Sequence, residues 1–266
     1  MIYALQIDLW SPFYFTLHSY LIMKHIIFLF VFCIKYSLCL CQNLLHNGDF
    51  ENLSKCPDYA GDIEYAIGWH NGGYTPDLFN SCTNNIENGL SIPDTYKGYI
   101  HPISGKSCIG LVLFTKKNKI PLKESYKYSE SIYTKIISGL WQDKKYTVSL
   151  WLALADSSIY YSKTINVVLF DKLSGNGLFK NKQVLSLAIP FDNSKSKQHD
   201  WHHVVMQFTC SNNWNYMWIG MDKDEFTFKE FVNDTRDKLK INKTFNKGDK
   251  DCYYYIDNVE INEVIR

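Results

Sequence analysis

The sequence lacks an excess of either charge, since 28 of its 266 residues are basic and 27 are acidic. A formal charge of +1 provides no positive field that could neutralise a phosphate backbone, so we expect no nucleic-acid partner. Proline is scarce, with 7 residues, and the chain is 46% hydrophobic. Together these values exclude a collagen-like or wholly disordered chain and leave one or two globular domains.

Several catalytic motifs are also missing. The chain contains no G-x-S-x-G, H-E-x-x-H, G-x-G-x-x-G or phosphate-binding G-x-x-x-x-G-K-[ST] sequence. These motifs carry nucleophilic serine, catalytic zinc and nucleotide chemistry, so their absence argues against those enzyme classes and against a nucleotide cofactor. We therefore expect a protein that is not an enzyme. The alternative is a pair of carboxylates for glycoside hydrolysis, whose separation is a property of the tertiary structure.

Aromatic residues are abundant, with 19 Tyr, 16 Phe and 7 Trp. Apolar side chains recur with a period of two, most clearly from Tyr146 to Leu154, whereas helical periodicity is absent. Many such segments separated by Gly and Asn turns predict an antiparallel β-sandwich or barrel. The polar stretches Leu173–Lys182, Asp192–Asp200 and Lys229–Asp251 read as long surface loops, the last with a short helix over Phe226–Leu239.

The first 41 residues differ from the rest. A basic start at Met23, an apolar run over Ile26–Ile34 and small residues before Cys41 follow the order of a signal peptide. Residues 1–41 are thus interpreted as a signal peptide or membrane-targeting leader, with cleavage near Cys41 and with Met23 as an alternative start. An uncleaved anchor and a lipidated Cys41 are the other readings. The remaining residues, 42–266, are expected to form a single secreted or cell-surface domain.

Both ends of this domain carry specific sequence: N-L-L-H-N-G-D-F-E over Asn43–Glu51 and Y-Y-Y-I-D-N-V-E over Tyr253–Glu260. This pairing resembles the galactose-binding-like jelly-roll modules, which include many carbohydrate-binding modules. Gly73–Cys82 and Ser104–Leu111 add a resemblance to secreted surface proteins of Bacteroidetes-type bacteria. One departure is Asn258, which stands where the closing motif usually has a second Asp.

The resemblance implies an all-β fold, an antiparallel jelly-roll β-sandwich with long loops. It also implies a non-catalytic, extracellular carbohydrate-binding function with a glycan as partner. The alternative is a structural or adhesive sandwich whose partner is another cell-surface protein. A scaffold of this kind does not decide between the two, because function depends on the site that it carries.

In this fold the first and last strands are neighbours, so Glu51 and Asp257 could reach one hard cation. Ca²⁺ is the natural candidate, with Gly48 allowing a close approach of backbone carbonyls. Ile256 and Val259 are three residues apart, which predicts a β-bulge beside Asp257. The other reading is that Glu51 and Asp257 are ordinary carboxylates at strand ends.

Five cysteines follow the leader, and an exported protein should pair some of them. Cys56 and Cys82 match the family pattern and lie in loop-like sequence, so we expect a disulfide between them. Cys108 reads as a buried thiol, and Cys210 with Cys252 forms a weaker second pair.

Candidate glycan-binding residues are the aromatic residues expected in loops. Trp69 and Tyr74 flank the flexible sequence Asn71-Gly72-Gly73, which places an amide beside two rings. Tyr96, Tyr99, Trp141 and Trp214 also lie beside loop-forming residues, whereas Trp151, Trp201 and Trp218 lie in apolar strands and read as core. The His-rich sequence over His199–His203 predicts no metal site, because adjacent strand residues point to opposite faces.

Overall fold

The computed structural model describes residues 20, 22–28, 42–83, 89–115, 128–158, 160–173, 181–191, 197, 199–221 and 251–264. The chain divides into two compact units, Met1–Gln42 and Asn43–Arg266. In the first unit, residues 20 and 22–28 are helical. No helix among the described residues has the length and hydropathy needed to cross a membrane. Most of the expected leader and the helix expected at 226–239 lie outside the described residues.

The described part of the second unit consists of strands and one short 3₁₀ helix, Asp62–Tyr65. Its strands, in chain order, are β1 (Trp69–Gly73), β2 (Asp77–Asn80), β3 (Asp94–Thr95), β4 (Gly98–Tyr99), β5 (Ser107–Thr115), β6 (Ser131–Leu140), β7 (Lys145–Leu154), β8 (Thr164–Phe170), β9 (Lys182–Ala188), β10 (Trp201–Thr209), β11 (Trp214–Gly220) and β12 (Asp251–Glu263).

Ten of these strands form two antiparallel sheets of five. The first sheet has the order β1-β6-β11-β8-β9 and the second has the order β10-β7-β12-β5-β2. The chain crosses repeatedly between the sheets, for example from β6 to β7 and from β11 to β12. The remaining strands, β3 and β4, form a small hairpin. The predicted all-β, jelly-roll sandwich is confirmed.

The core lies between the two sheets and follows from strand alternation. On β7, the side chains of Val148, Leu150, Leu152 and Leu154 are all 0% exposed and point into the sandwich. Burying each such side chain contributes about 1.5–3 kcal/mol relative to leaving it in water. The strand predicted over Tyr146–Leu154 therefore supplies one wall of the core.

A second, smaller core lies on the outer face of the second sheet. Tyr253 and Tyr255 of β12 point away from the sandwich, yet both are 0% exposed. They pack with Leu90, Ile92 and Ile100, which belong to the segment 89–103 that crosses this face. Strand β12 is consequently buried on both sides.

The observed state of the cysteines confirms part of the prediction made from the sequence. Cys56 and Cys82 form the expected disulfide, with Cα atoms 5.9 Å apart, and Cys108 is the expected buried thiol. The expected pair of Cys210 and Cys252 is wrong, since both are free and buried. The strand registers place Cys210 beside Lys144, before the start of β7, and Cys252 past Leu154, beyond the other end of β7. The two cysteines therefore lie at opposite ends of the sheet, beyond the reach of a disulfide.

Candidate functional site

Trp69 lies in the core rather than in a loop. It is the first residue of β1 and is 0% exposed; its Nε1 donates a hydrogen bond to the carbonyl of Asn47 at 2.8 Å. Its ring lies 4.9 Å from that of Phe50. The loop position expected for Trp69 is therefore wrong, and strand alternation explains why: Trp69 points inward and His70 points outward.

The other two predicted ligand-binding residues lie in the turn after β1. The side chain of Asn71 accepts a hydrogen bond from the Gly73 amide at 2.8 Å and donates to the carbonyl of Tyr74. Its polar atoms thus hold the turn together. The Tyr74 ring is 47% exposed and contacts Tyr128 at 4.4 Å between ring centroids, so Tyr74 remains accessible to a ligand.

The outer face of the first sheet carries a row of rings on neighbouring strands. His70 on β1 pairs with Tyr133 on β6, and Tyr133 pairs with Trp218 on β11. Tyr216 lies two residues from Trp218 on the same face. We call these four residues the outer aromatic face; His70 is exposed and the other three are partly exposed. An outward sheet face this rich in rings is unusual for a sandwich whose outer positions are expected to be polar.

Trp218 lies along the sheet instead of standing up from it, because two glycines leave room for its indole. A Cβ atom at Gly72 would lie 2.9 Å from the indole Nε1, and one at Gly220 would lie 2.7 Å from its Cη2. Real Cβ atoms do not approach other atoms this closely. The ring is therefore seated on backbone at both ends, which presents it as a flat platform.

Polar groups border the outer aromatic face. The carboxylate of Glu64, in the 3₁₀ helix, contacts His70 Nδ1 and accepts a hydrogen bond from the Asn71 amide, both at 2.9 Å. On the other side, Lys135 is exposed and pairs with Tyr216 across the strands. Burial, with the charge of Glu64 adding to it, raises the pKa of the Tyr133 hydroxyl, so this hydroxyl stays protonated and able to donate.

The outer aromatic face is hard to recognise in the sequence, because β11 is apolar on both sides. Trp218 reads as core, and Trp214, expected in a loop, is a buried strand residue at 3% exposure. Met217 and Ile219 are both 0% exposed, and since alternate residues of a strand point to opposite faces, Tyr216 and Trp218 point outward. This alternation is present in the sequence and is the signal that could have identified Tyr216 and Trp218. Trp141 is exposed, as expected.

Beside Tyr74, two buried carboxylates hold tyrosine rings in place. Asp77, 1% exposed, accepts hydrogen bonds from the hydroxyls of Tyr96 and Tyr253. Glu130, 2% exposed, accepts from Tyr128 at 2.7 Å. Burial, with the charge of Asp77 adding to it, raises the pKa of Glu130 to about 7. This pair was not expected from the sequence.

The two ends of the domain meet, as expected. The Leu44 amide donates a hydrogen bond to the carbonyl of Ile261 at 2.8 Å, and the Val259 amide donates one to the carbonyl of Gly48 at the same distance. A Cβ atom at Gly48 would lie 2.0 Å from the Val259 carbonyl oxygen, so only glycine permits this approach. The register of β12 against β7 shifts between Asp257 and Glu260, which confirms the predicted β-bulge.

Glu51 and Asp257 hold the same turn of the chain, residues 103–107. Asp257 accepts from the Ile103 amide at 2.8 Å, and Glu51 accepts from the Ser107 amide at 2.7 Å. Burial, with the charge of Glu51 adding to it, raises the pKa of Asp257 to about 7. The carboxylates thus lie near each other and anchor a loop.

The donor set at this turn fits a hard cation in its chemistry, since both side chains offer carboxylate oxygen. Within the described residues, however, no third His, Cys, Asp or Glu joins them, so further ligands would have to be carbonyl oxygens or water. A polar pocket of about 350 Å³, lined in part by Gly48, Ser104 and Asn258, borders the turn, but neither Glu51 nor Asp257 lines it.

Comparison with known proteins finds similar folds only among solved structures. No protein-family model matches the chain, and no curated protein matches it in sequence. The CBM22-1 xylan-binding domain from Paenibacillus barcinonensis is 12% identical with a TM-score of 0.41, covering 85% of this chain and 97% of that one.

Two further structures are similar over the same share of the chain. A cleaved adhesin domain of Lys-gingipain from Porphyromonas gingivalis is 11% identical, with a TM-score of 0.35, covering 85% of this chain and 98% of that one. The N-terminal cellulose-binding domain of the Cellulomonas fimi β-1,4-glucanase C is 10% identical, with a TM-score of 0.36. The match covers 85% of this chain and 99% of that one.

Proposed function

We propose that this protein is a non-catalytic, extracellular glycan-binding module that binds its ligand on the outer aromatic face. The observation that carries the proposal is the flat seating of Trp218 between Gly72 and Gly220. A ring held parallel to the sheet offers its face to the apolar face of a sugar ring. The neighbouring rings of Tyr133 and His70 continue this surface along the row, so it suits an extended glycan better than a single sugar.

Polar groups at the border complete the site. Binding sites combine apolar surface with a few placed polar groups that fix the orientation of the ligand. Glu64 and Lys135, which lie on opposite sides of the row, can accept from and donate to sugar hydroxyls. Their opposite charges and the near-neutral charge of the whole chain favour a neutral glycan.

Substituting the platform tests this function. Stacking on an aromatic ring contributes roughly 1–3 kcal/mol, by analogy with bases stacked on aromatic side chains, so Trp218→Ala should weaken binding about 5- to 150-fold. Glycan-array screening of the full chain identifies the ligand, and calorimetric titration measures the loss. Trp141→Ala, at a second exposed tryptophan, serves as the matched control and should bind normally.

Two outcomes would count against this site. If the wild type binds no glycan on a broad array, the adhesive function expected as the alternative replaces it. If Trp218→Ala and Trp141→Ala bind equally well, the ligand lies elsewhere on the domain.

We also propose that Ca²⁺ binds beside Glu51 and Asp257 and stabilises the joined ends of the domain. A cation would relieve the repulsion between two neighbouring carboxylates, and binding to the folded state alone raises stability by mass action. Millimolar Ca²⁺ should therefore raise the melting temperature of the wild type but not of Asp257→Asn. Asp143→Asn, at an exposed acidic residue between β6 and β7, is the control. An unchanged wild type would leave the two carboxylates as loop anchors only.

A further inference from the structure

The four edge strands of the sandwich are unequal. At one side, β2 has four residues, and β1 has five residues with an irregular register. At the other side, β9 has seven residues, and β10 has nine that pair with β7 without any register shift. Strand β10, W-H-H-V-V-M-Q-F-T, contains no charged residue, proline or glycine. Its sequence therefore lacks the residues with which edge strands usually prevent edge-to-edge pairing.

The outward side of β10 is unoccupied in the part of the chain that the structure describes. Between His202 and Phe208 the backbone makes no described hydrogen bond other than those of its ladder with β7. Val205, at the centre of the strand, is 55% exposed. A long, regular strand with a free edge and an exposed apolar centre is a template for another strand.

We propose that β10 pairs with β10 of a second copy of this chain, antiparallel and about a two-fold axis at Val205. Because the strand carries no charge, no like charges meet across the axis, and the near-neutral chain adds no long-range repulsion. Each Val205 faces its equivalent, and each His203 faces Gln207 of the other copy. The same surface serves both copies, as a closed two-fold dimer requires.

This dimer would join the two second sheets into one continuous sheet. The outer aromatic face lies on β1, β6 and β11 of the first sheet, so no residue of that face lies on the pairing strand. A dimer would carry two such faces, and a repetitive ligand spanning both would be held by avidity.

Sedimentation of the full chain tests the dimer. The wild type should sediment as a dimer at micromolar concentration, and Val205→Lys should be monomeric because two ammonium groups would meet on the axis. Ile137→Lys is the matched control, since Ile137 is a β-branched residue with 58% exposure on β6. It should remain dimeric. A monomeric wild type, or a dimer unaffected by Val205→Lys, overturns the proposal.

Cross-linking provides a second test that does not add a charge. Opposed residues in an antiparallel pair have Cα atoms about 4.5–5.5 Å apart, which permits a disulfide. Val205→Cys should form a covalent dimer under mild oxidation, whereas His203→Cys alone should not, because it faces Gln207. Mixing His203→Cys with Gln207→Cys should restore the cross-link. Equal cross-linking of Val205→Cys and His203→Cys would contradict the stated pairing.

Discussion

The two sheets of the sandwich carry aromatic residues on their outer faces, but with opposite results. On the first sheet, Tyr133 and Trp218 remain partly exposed, although Phe170 of β8, on the same face and stacked on Tyr216, is 0% exposed. On the second, Tyr253 and Tyr255 are 0% exposed, because the segment 89–103 crosses that face. The same alternation of rings along a strand thus leaves rings accessible in one place and builds a second core in the other. What separates them is whether a distant segment of the chain covers the rings.

The largest expected effect of this difference concerns stability. Tyr255→Ala should lower the free energy of unfolding by about 3–5 kcal/mol, since it leaves a cavity in the covered face and removes a hydroxyl that bonds Thr95 at 2.5 Å. Tyr133→Ala on the open face should cost less than about 1 kcal/mol. Urea denaturation of both variants measures this contrast. Equal losses would mean that the two faces are packed alike.

The covered face should also respond to pH through Glu130. Its pKa is raised from 4.5 to about 7, so the folded state binds a proton more tightly than the unfolded state. Stability should therefore fall as pH rises through this range, by on the order of 3 kcal/mol. Glu130→Gln, which cannot ionise, should reduce this slope in melting experiments from pH 4.5 to 8.

The control for this prediction is Glu263→Gln, at an exposed carboxylate whose partner is Lys144 at 2.7 Å. Because an exposed ion pair contributes little to stability, this variant should change the slope less than Glu130→Gln does. Wild type and Glu130→Gln curves that run parallel over the whole range would show that Glu130 stays ionised in the folded protein.

The smallest expected effect concerns the seating of Trp218 on the open face. Gly72→Ala would place a Cβ atom 2.9 Å from the indole, so the ring must tilt, and glycan affinity should fall a few-fold, by about 1 kcal/mol. Gly73→Ala is the matched control, because the atoms nearest to its Cβ belong to Ser131 and Ser129 and not to Trp218. Calorimetric titration with the ligand found by array distinguishes the two. Equal affinities would show that the seating of the ring is unimportant.

Local patterns in the sequence predicted much of the fold. Alternation over Tyr146–Leu154 predicted a core strand, and the spacing of Ile256 and Val259 predicted the bulge beside Asp257. The disulfide between Cys56 and Cys82 was also predicted. The candidate site was predicted less well: Tyr74 is accessible, but Trp69 is core. Neighbouring Gly and Asn residues made Trp69 resemble a loop residue, although they belong to the same strand.

The sequence by itself determined the strands and their two faces, because alternation, turns and glycines act over a few residues. The meeting of the chain ends followed only from the resemblance to a known fold. Only the tertiary structure decided which face of each strand is open. Trp69 is buried by packing against Phe50, and Tyr255 is buried by a segment about 160 residues away that includes Thr95. Trp218 lies flat because Gly72, on β1, supplies the space beside it. Contacts between residues so distant in sequence leave no periodicity from which they could be read.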